Sequence, residues 1–161
     1  MGSQMPGFWA DPFATRRPTS LPETPRHLRF SDEEFDALCT DFQDTGGVAR
    51  GDELAHLLED HPPGASASLS RLIASNQVFG FDRDFSFWVP MFQFEPDSLR
   101  IRPAVLKVRA ELGSEFDGWA FATWFAAPSA WLRQRRPVDL LESNLREVLQ
   151  AARIDRFIAA G

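Results

Sequence analysis

Residues 116–161 read FDGWAFATWFAAPSAWLRQRRPVDLLESNLREVLQAARIDRFIAAG and combine apolar helical patterns with residues that begin or end helices. Asp117 is placed to cap a helix that Pro128 ends, and Asn144 is placed to cap a longer final helix. The stretch holds three tryptophans but no cysteine, no histidine and no glycine-rich loop. It offers apolar surface and few catalytic groups, which predicts a helical binding domain.

Upstream of this stretch the helical pattern continues and then changes to a strand pattern. Pro103 suits the first turn of a further helix, so we take residues 99–161 as one compact helical domain. Residues 78–94 change to a period of two on either side of a polar turn at 82–84, which predicts a β-hairpin. Because Pro90 lacks an N–H, its strand is predicted to be an edge strand or to carry a bulge.

Three short helical patterns precede the hairpin. A capping box is predicted at Ser31, and further helices are predicted over residues 52–60 and 66–75. The side chains expected to face the core from these helices are Phe35, Leu38, Cys39, Phe42, Leu54, Leu57, Leu58, Leu69, Leu72 and Ile73. Helices joined by a tight turn and followed by a hairpin predict a winged helix-turn-helix-like unit over residues 31–98. The predicted fold is mainly α with a small β-hairpin, this unit preceding the helical domain.

The amino-terminal 30 residues differ from the rest of the chain in composition and charge. They hold five of the twelve prolines and no sustained periodicity, which predicts an extended, poorly ordered arm. They carry four arginines against two carboxylates, whereas the remaining residues carry 13 basic and 21 acidic side chains. An alternative to a dispensable arm is that Phe8, Trp9 and Phe13 dock on the body of the protein or on a partner.

The titratable residues do not form a catalytic pattern. His56 and His61 are five residues apart, which does not place them on one helical face, and His27 lies in the arm. Cys39 lies on an apolar face, and Asp139 is expected to cap a short helix or to pair with a neighbouring arginine, a partner contact being the alternative. We therefore expect no enzyme, no metal site and no cofactor. Without an apolar run of about 20 residues or a signal-peptide-like stretch, we expect a cytoplasmic protein with no membrane segment.

Nucleic acid is a candidate ligand of the helix predicted over residues 66–75. Its polar residues suit base edges or phosphates, and the candidate DNA-binding residues are Ser68, Ser70, Arg71, Asn76 and Gln77. One arginine is a small electrostatic contribution, and the preceding helix is acidic. Use of the unit for assembly alone is the alternative.

A partner protein is the second candidate ligand. Trp131 follows the helix that Pro128 ends and is the candidate surface anchor, with core packing as the alternative. After Ala152 the apolar residues leave the stripe that Leu145 and Leu149 define, so an apolar side chain near the terminus is expected to face another surface. A frayed helix end is the alternative to a docking tail.

Residues from about 99 to 161 resemble the toxin-binding domain of Xre/MbcA/ParS-type antitoxins. The resemblance rests on Trp124-Phe125-Ala-Ala-Pro128, on Arg136-Pro-Val-Asp-Leu-Leu141 and on Val148-Leu-Gln-Ala-Ala-Arg153. The preceding segments Leu72-Ile-Ala-Ser-Asn76 and Val89-Pro-Met-Phe-Gln-Phe94 resemble the helix-plus-wing unit of such proteins. The family usually has Pro-Asn where this chain has Pro128-Ser129, and a Gly-Gly turn where it has Arg133-Gln134-Arg135.

This resemblance implies an antitoxin that self-associates as a homo-oligomer and neutralises a RES-type toxin. A RES-type toxin is an enzyme that consumes NAD or transfers part of it. The implied partner-binding residues are Arg153, Asp155, Arg156, Phe157 and Ile158, to which the residue pattern adds Trp131. Operator DNA is a further partner if the antitoxin regulates its own operon. The alternatives are a stand-alone DNA-binding transcriptional regulator with a carboxy-terminal dimerisation domain, and an assembly or scaffold protein.

Overall fold

The computed structural model describes residues 30–60 and 68–161, and these residues are mainly helical with one small antiparallel sheet. The helices and strands are α1 (Asp32–Asp41), β1 (Val48–Arg50), α2 (Gly51–Glu59), α3 (Leu69–Ala74), β2 (Phe81–Arg83), β3 (Ser86–Pro90), α4 (Pro103–Leu112), α5 (Gly118–Ala126) and α6 (Leu145–Ala160). Short 3-10 turns occupy Gln43–Thr45, Met91–Gln93, Ala130–Leu132 and Pro137–Leu140. The hypotheses about Phe8, Trp9, Phe13, His27 and His61 lie outside the described residues.

The predicted helix starts at Ser31 and Asp117 are confirmed. The Ser31 hydroxyl accepts a hydrogen bond from the Glu34 N–H at 3.1 Å, and the Ser31 N–H donates to the Glu34 carboxylate at 2.7 Å. Asp117 accepts from the Ala120 N–H at 2.8 Å, which begins α5. These caps satisfy N–H groups that a helix leaves unpaired at its start, so local chemistry determines where both helices begin.

Two residues predicted to be buried are exposed. Leu57 is 46% exposed and Ile73 is 37% exposed, which makes both predictions wrong. Each lies about 100° around its helix from a residue that is buried, Leu58 in α2 and Leu72 in α3. Because these helices are short and buried on one face only, that neighbouring position remains at the surface.

The sheet contains the predicted hairpin, with its turn at residues 84–85 and not at the predicted 82–84, and a strand that the sequence did not reveal. Strands β2 and β3 pair antiparallel with Phe81 opposite Trp88, and β1 pairs with the other side of β3, giving the order β1-β3-β2. The strand β3 is therefore central, so the expectation of an edge strand or bulge at Pro90 is wrong. Pro90 is the last residue of β3, where a missing N–H removes little of the ladder.

One apolar core joins the helical domain to the elements before it. Phe42 from α1's end, Phe92 after the hairpin and Phe125 of α5 are buried in the same cluster, with ring centroids 4.8–5.1 Å apart along the series. A second, smaller core includes Leu54, Leu72 and residues of the hairpin. Phe30, which the sequence assigned to the arm, is buried in the first core and stacks on Trp119 at 3.7 Å between ring centroids.

The hairpin and α5 are in direct backbone contact. A Cβ placed on Gly118 would lie 1.8 Å from the carbonyl oxygen of Gly80. The two backbone segments therefore approach to a distance that only glycine permits. Buried Gln93 bonds both polar backbone groups of Phe79, accepting from its N–H at 3.0 Å and donating to its carbonyl at 2.9 Å. The start of the hairpin is therefore held by Gln93, directly after the hairpin, and lies against α5 of the helical domain.

Candidate partner-binding surface

The exposed Trp131 ring is held in place by a carboxylate on α6. Its indole N–H donates to Asp155 Oδ1 at 2.9 Å, while the second oxygen of Asp155 accepts from the indole of Trp124 at 2.8 Å. Trp131 remains 52% exposed. Since both carboxylate oxygens accept from tryptophans, Asp155 fixes the orientation of an exposed aromatic ring.

The turn that carries Trp131 is closed by backbone hydrogen bonds. The Ser129 N–H donates to the Arg135 carbonyl at 3.0 Å, and the Gln134 N–H donates to the Ser129 carbonyl at 2.8 Å. Arg133 and Gln134 both adopt left-handed backbone conformations, with φ of 58° and 64°. Such a conformation costs roughly 1 kcal/mol for a residue with a side chain. Glycine would adopt it at lower cost at both positions.

The last turn of α6 presents two further apolar side chains. Phe157 is 82% exposed and Ile158 is 61% exposed. Helical periodicity places Ile158 on the same side of α6 as Asp155, whereas Phe157 lies on the opposite side. We call Trp131, Phe157 and Ile158 the carboxy-terminal surface, and it surrounds the end of α6. The expected change of helical phase after Ala152 accounts for this exposure.

Two arginines in this part of the chain contact α4 or the residue after it. Arg153 donates to Glu111 at 2.9 Å, and this bond raises the pKa of Arg153 and lowers the pKa of Glu111. The side chain of Arg156 lies over Gly113, where a Cβ would be 3.1 Å from its Nε. Both arginines are exposed, and the Arg153–Glu111 pair is a surface ion pair of small energetic weight.

The candidate DNA-binding residues divide into two groups. Asn76 is held by Arg109, which donates to its backbone carbonyl at 3.1 Å and to its side-chain oxygen at 3.0 Å. The Ser68 hydroxyl caps α3 by accepting from the Arg71 N–H at 3.3 Å. All five candidate residues are exposed, and these contacts give Asn76 and Ser68 structural roles in addition.

The other titratable candidates have structural contacts. Arg136 donates twice to Asp139, at 2.8 Å each, which confirms the expected arginine partner and raises the pKa of Arg136. Burial raises the pKa of the Cys39 thiol, an effect opposite to what a nucleophile requires. His56 lies 3.7 Å from Glu59 at the surface. Within residues 30–60 and 68–161 there is no group of three His, Cys, Asp or Glu side chains suited to a metal ion.

Sequence reasoning missed the Asp155 contacts and the conformation of Arg133 and Gln134. Periodicity places Asp155 on a helix face but gives no sign of the two indole partners, which come from other segments of the chain. The left-handed turn lacks the glycines that normally mark such a conformation.

Comparisons with known proteins do not assign the chain to a family. No protein-family model matches it, and neither a curated protein nor a solved structure matches it. Among the described helices, none combines the length and the apolar character needed to cross a membrane.

Proposed function

We propose that this chain is an antitoxin-like protein that uses its carboxy-terminal helices to bind and neutralise a RES-type toxin. Such a toxin consumes NAD or ADP-ribosylates a target. The observation that carries the proposal is the exposed Trp131, held by Asp155 beside the exposed end of α6. A fixed tryptophan costs little conformational entropy on association, and residues of this kind dominate the energetics of interfaces.

The conformation of the 129–135 turn also supports the proposal. The antitoxins that this region resembles usually have a Gly-Gly turn where this chain has Arg133-Gln134-Arg135, and Arg133 and Gln134 have positive φ here. Positive φ is the conformation that glycine favours, so this turn adopts it without glycine. This turn presents Trp131 and two polar side chains towards the same partner.

The contacts of α6 determine how the proposal is tested. Deleting residues 153–161 removes Asp155 and Arg153 and with them contacts to Trp124, Trp131 and Glu111. Such a deletion changes both the surface and the fold. A chain ending at Arg156 keeps these contacts and removes only the exposed last turn.

We would co-express the chain ending at Arg156 with the reading frame adjacent to this protein in its genome, and measure growth and co-purification. The full chain is expected to restore growth and co-purify with the toxin, whereas the shortened chain is expected to do neither while keeping its thermal unfolding temperature. Full protection by the shortened chain would contradict a role for Phe157 and Ile158. A harmless neighbour that forms no complex would contradict the antitoxin proposal itself.

A stand-alone DNA-binding transcriptional regulator with a carboxy-terminal dimerisation domain is the second candidate. The element order α1-β1-α2-α3-β2-β3, with the sheet order β1-β3-β2, supports it because winged helix-turn-helix units share this arrangement. The charge of residues 30–101 argues against this candidate, since four arginines against 14 carboxylates give a negative region that repels DNA phosphates.

Binding to the protein's own promoter tests this alternative. Salt-sensitive binding that Arg71→Ala weakens, with Lys107→Ala as a control for loss of a positive charge, would support it. Unchanged mobility of the promoter fragment at low salt would exclude it. Self-association, expected for both candidates, is checked by light scattering of the purified chain.

A further inference from the structure

A row of four adjoining pockets runs from Phe30 to a cleft of about 620 Å³, and we call this row the groove. Its first section lies beside Phe30 and Trp119, and its second section, between α1 and α5, shares Trp119 and reaches Asp41. A third section joins Asp41 to Asp44, and Asp44 also lines the cleft. Each section shares a lining residue with the next, so the sections adjoin one another between Phe30 and the cleft.

The walls of the groove are acidic. Glu34 and Asp41 line the section along α1, and α1 contains five carboxylates and no basic residue. At the cleft, Asp44 and Asp139 share Arg136, and Glu142 pairs with Arg102 at 2.5 Å. Since these two arginines offset only part of the charge, the groove as a whole favours a positively charged occupant.

The floor of the cleft is apolar. It includes Met91, Phe94, Leu99 and Leu141, which come from both sides of the junction between the hairpin and the helical domain. A floor of this kind with an acidic approach suits a segment that combines aromatic side chains with arginines.

Such a segment precedes Phe30 in the same chain. Residues 1–29 lie outside the described residues, and their sequence contains Phe8, Trp9 and Phe13 followed by Arg16 and Arg17. Two further arginines occur before Phe30, at positions 26 and 29. We infer that residues 8–29 occupy the groove, with their arginines beside the acidic walls and Phe13 in the cleft.

The length of the segment is sufficient for this path. The ten residues of α1 extend about 15 Å. The residues before Phe30 must span this distance, antiparallel to α1, for Phe13 to lie near Asp44. The 17 residues from Phe13 to Phe30 can extend to about 55 Å, or roughly 50 Å in a polyproline conformation. Phe13 therefore reaches the cleft with chain to spare.

A photo-crosslinker at position 13 tests the assignment in the full chain. Benzoylphenylalanine in place of Phe13 is expected to form an intramolecular crosslink to a peptide that contains Met91 or Leu99. The same group in place of Gln4 is the control for nonspecific contact and is expected to give no such product. Crosslinks at position 13 that occur only between two chains, or only outside the cleft, would overturn the inference.

Charge substitutions on α1 test the path through the groove. Replacing Ala37 and Asp41 together by lysine is expected to reduce the position-13 crosslink at least about threefold, because both residues line the groove. Asp36→Lys reverses a charge on the same helix outside the groove lining and is expected to leave the yield unchanged. With circular dichroism confirming the fold of each variant, equal yields in all of them would contradict the proposed path.

Discussion

Residues 30–101 and residues 102–161 share the larger of the two cores but differ in charge and in the apolar side chains they expose. The first region carries four arginines and 14 carboxylates, whereas the second carries nine basic and seven acidic residues. The second region exposes an aromatic side chain that a hydrogen bond holds in place, namely Trp131 bonded to Asp155. The comparison indicates that a helix-and-hairpin outline does not by itself predict nucleic-acid binding, since surface charge and side-chain support decide what a surface can bind.

The largest expected effect comes from separating the two regions at their backbone contact. Gly118→Ala places a Cβ 1.8 Å from the Gly80 carbonyl oxygen, and relief requires movement of α5 away from the hairpin. We expect the free energy of unfolding to fall by about 3 kcal/mol or more, measured by urea denaturation. Gly47→Ala is the control: its Cβ would contact nothing within 4 Å, so only the positive φ of 75° opposes it, at a cost of about 1 kcal/mol. Equal losses in the two variants would contradict the close contact.

The second effect concerns Arg109, which links α4 to Asn76 in the segment after α3. Its guanidinium contacts Asn76 through two hydrogen bonds and lies 5.0–5.1 Å from the ring centroids of Phe79 and Phe121. Burial lowers its pKa, and its Nε has no hydrogen-bond partner within the described part of the chain. Arg109→Met is expected to cost about 2 kcal/mol in urea denaturation, because the backbone oxygen and the side-chain oxygen of Asn76 each lose a donor. Lys107→Met, on the exposed side of the same helix, is expected to change stability by less than about 0.5 kcal/mol.

The third effect separates the role of Asp155 from that of the ring it supports. Asp155→Ala removes the acceptor of two indole N–H groups and is expected to lower the free energy of unfolding by about 1–2 kcal/mol. Trp131→Phe removes one of these bonds and is expected to cost about half as much. If Asp155→Ala leaves both stability and toxin affinity unchanged, the carboxylate does not orient Trp131.

The smallest expected effect is a gain in stability. Replacing Arg133 and Gln134 by glycine relieves two left-handed residues, offset by the greater freedom of glycine in the unfolded chain. We expect a net gain of up to about 1 kcal/mol in urea denaturation, with weaker toxin binding because two polar side chains are lost. A gain in stability with unchanged affinity would show that these side chains do not contact the toxin.

Sequence patterns predicted the elements that depend on local chemistry. Ser31 and Asp117 cap helices as expected, and Pro103 begins α4, because these effects involve neighbouring residues only. Strand β1 has three residues, too few for an alternating pattern, and it is defined by its pairing with β3. Distant contacts determined the rest: the Asp155–Trp131 bond joins residues 24 positions apart, and the Arg109–Asn76 bonds join residues 33 positions apart.

The central claim is that the carboxy-terminal surface binds the toxin, and its most direct test is the affinity of purified variants for a catalytically inactive form of the toxin. Combined substitution of Trp131 and Ile158 by alanine is expected to weaken binding about 30-fold or more, measured by calorimetry. Ile73→Ala removes an exposed apolar side chain of the first region and is expected to leave the affinity unchanged. Unchanged affinity in the Trp131 and Ile158 variant, or an equal loss with Ile73→Ala, would contradict the assignment of the toxin-binding surface to the end of α6.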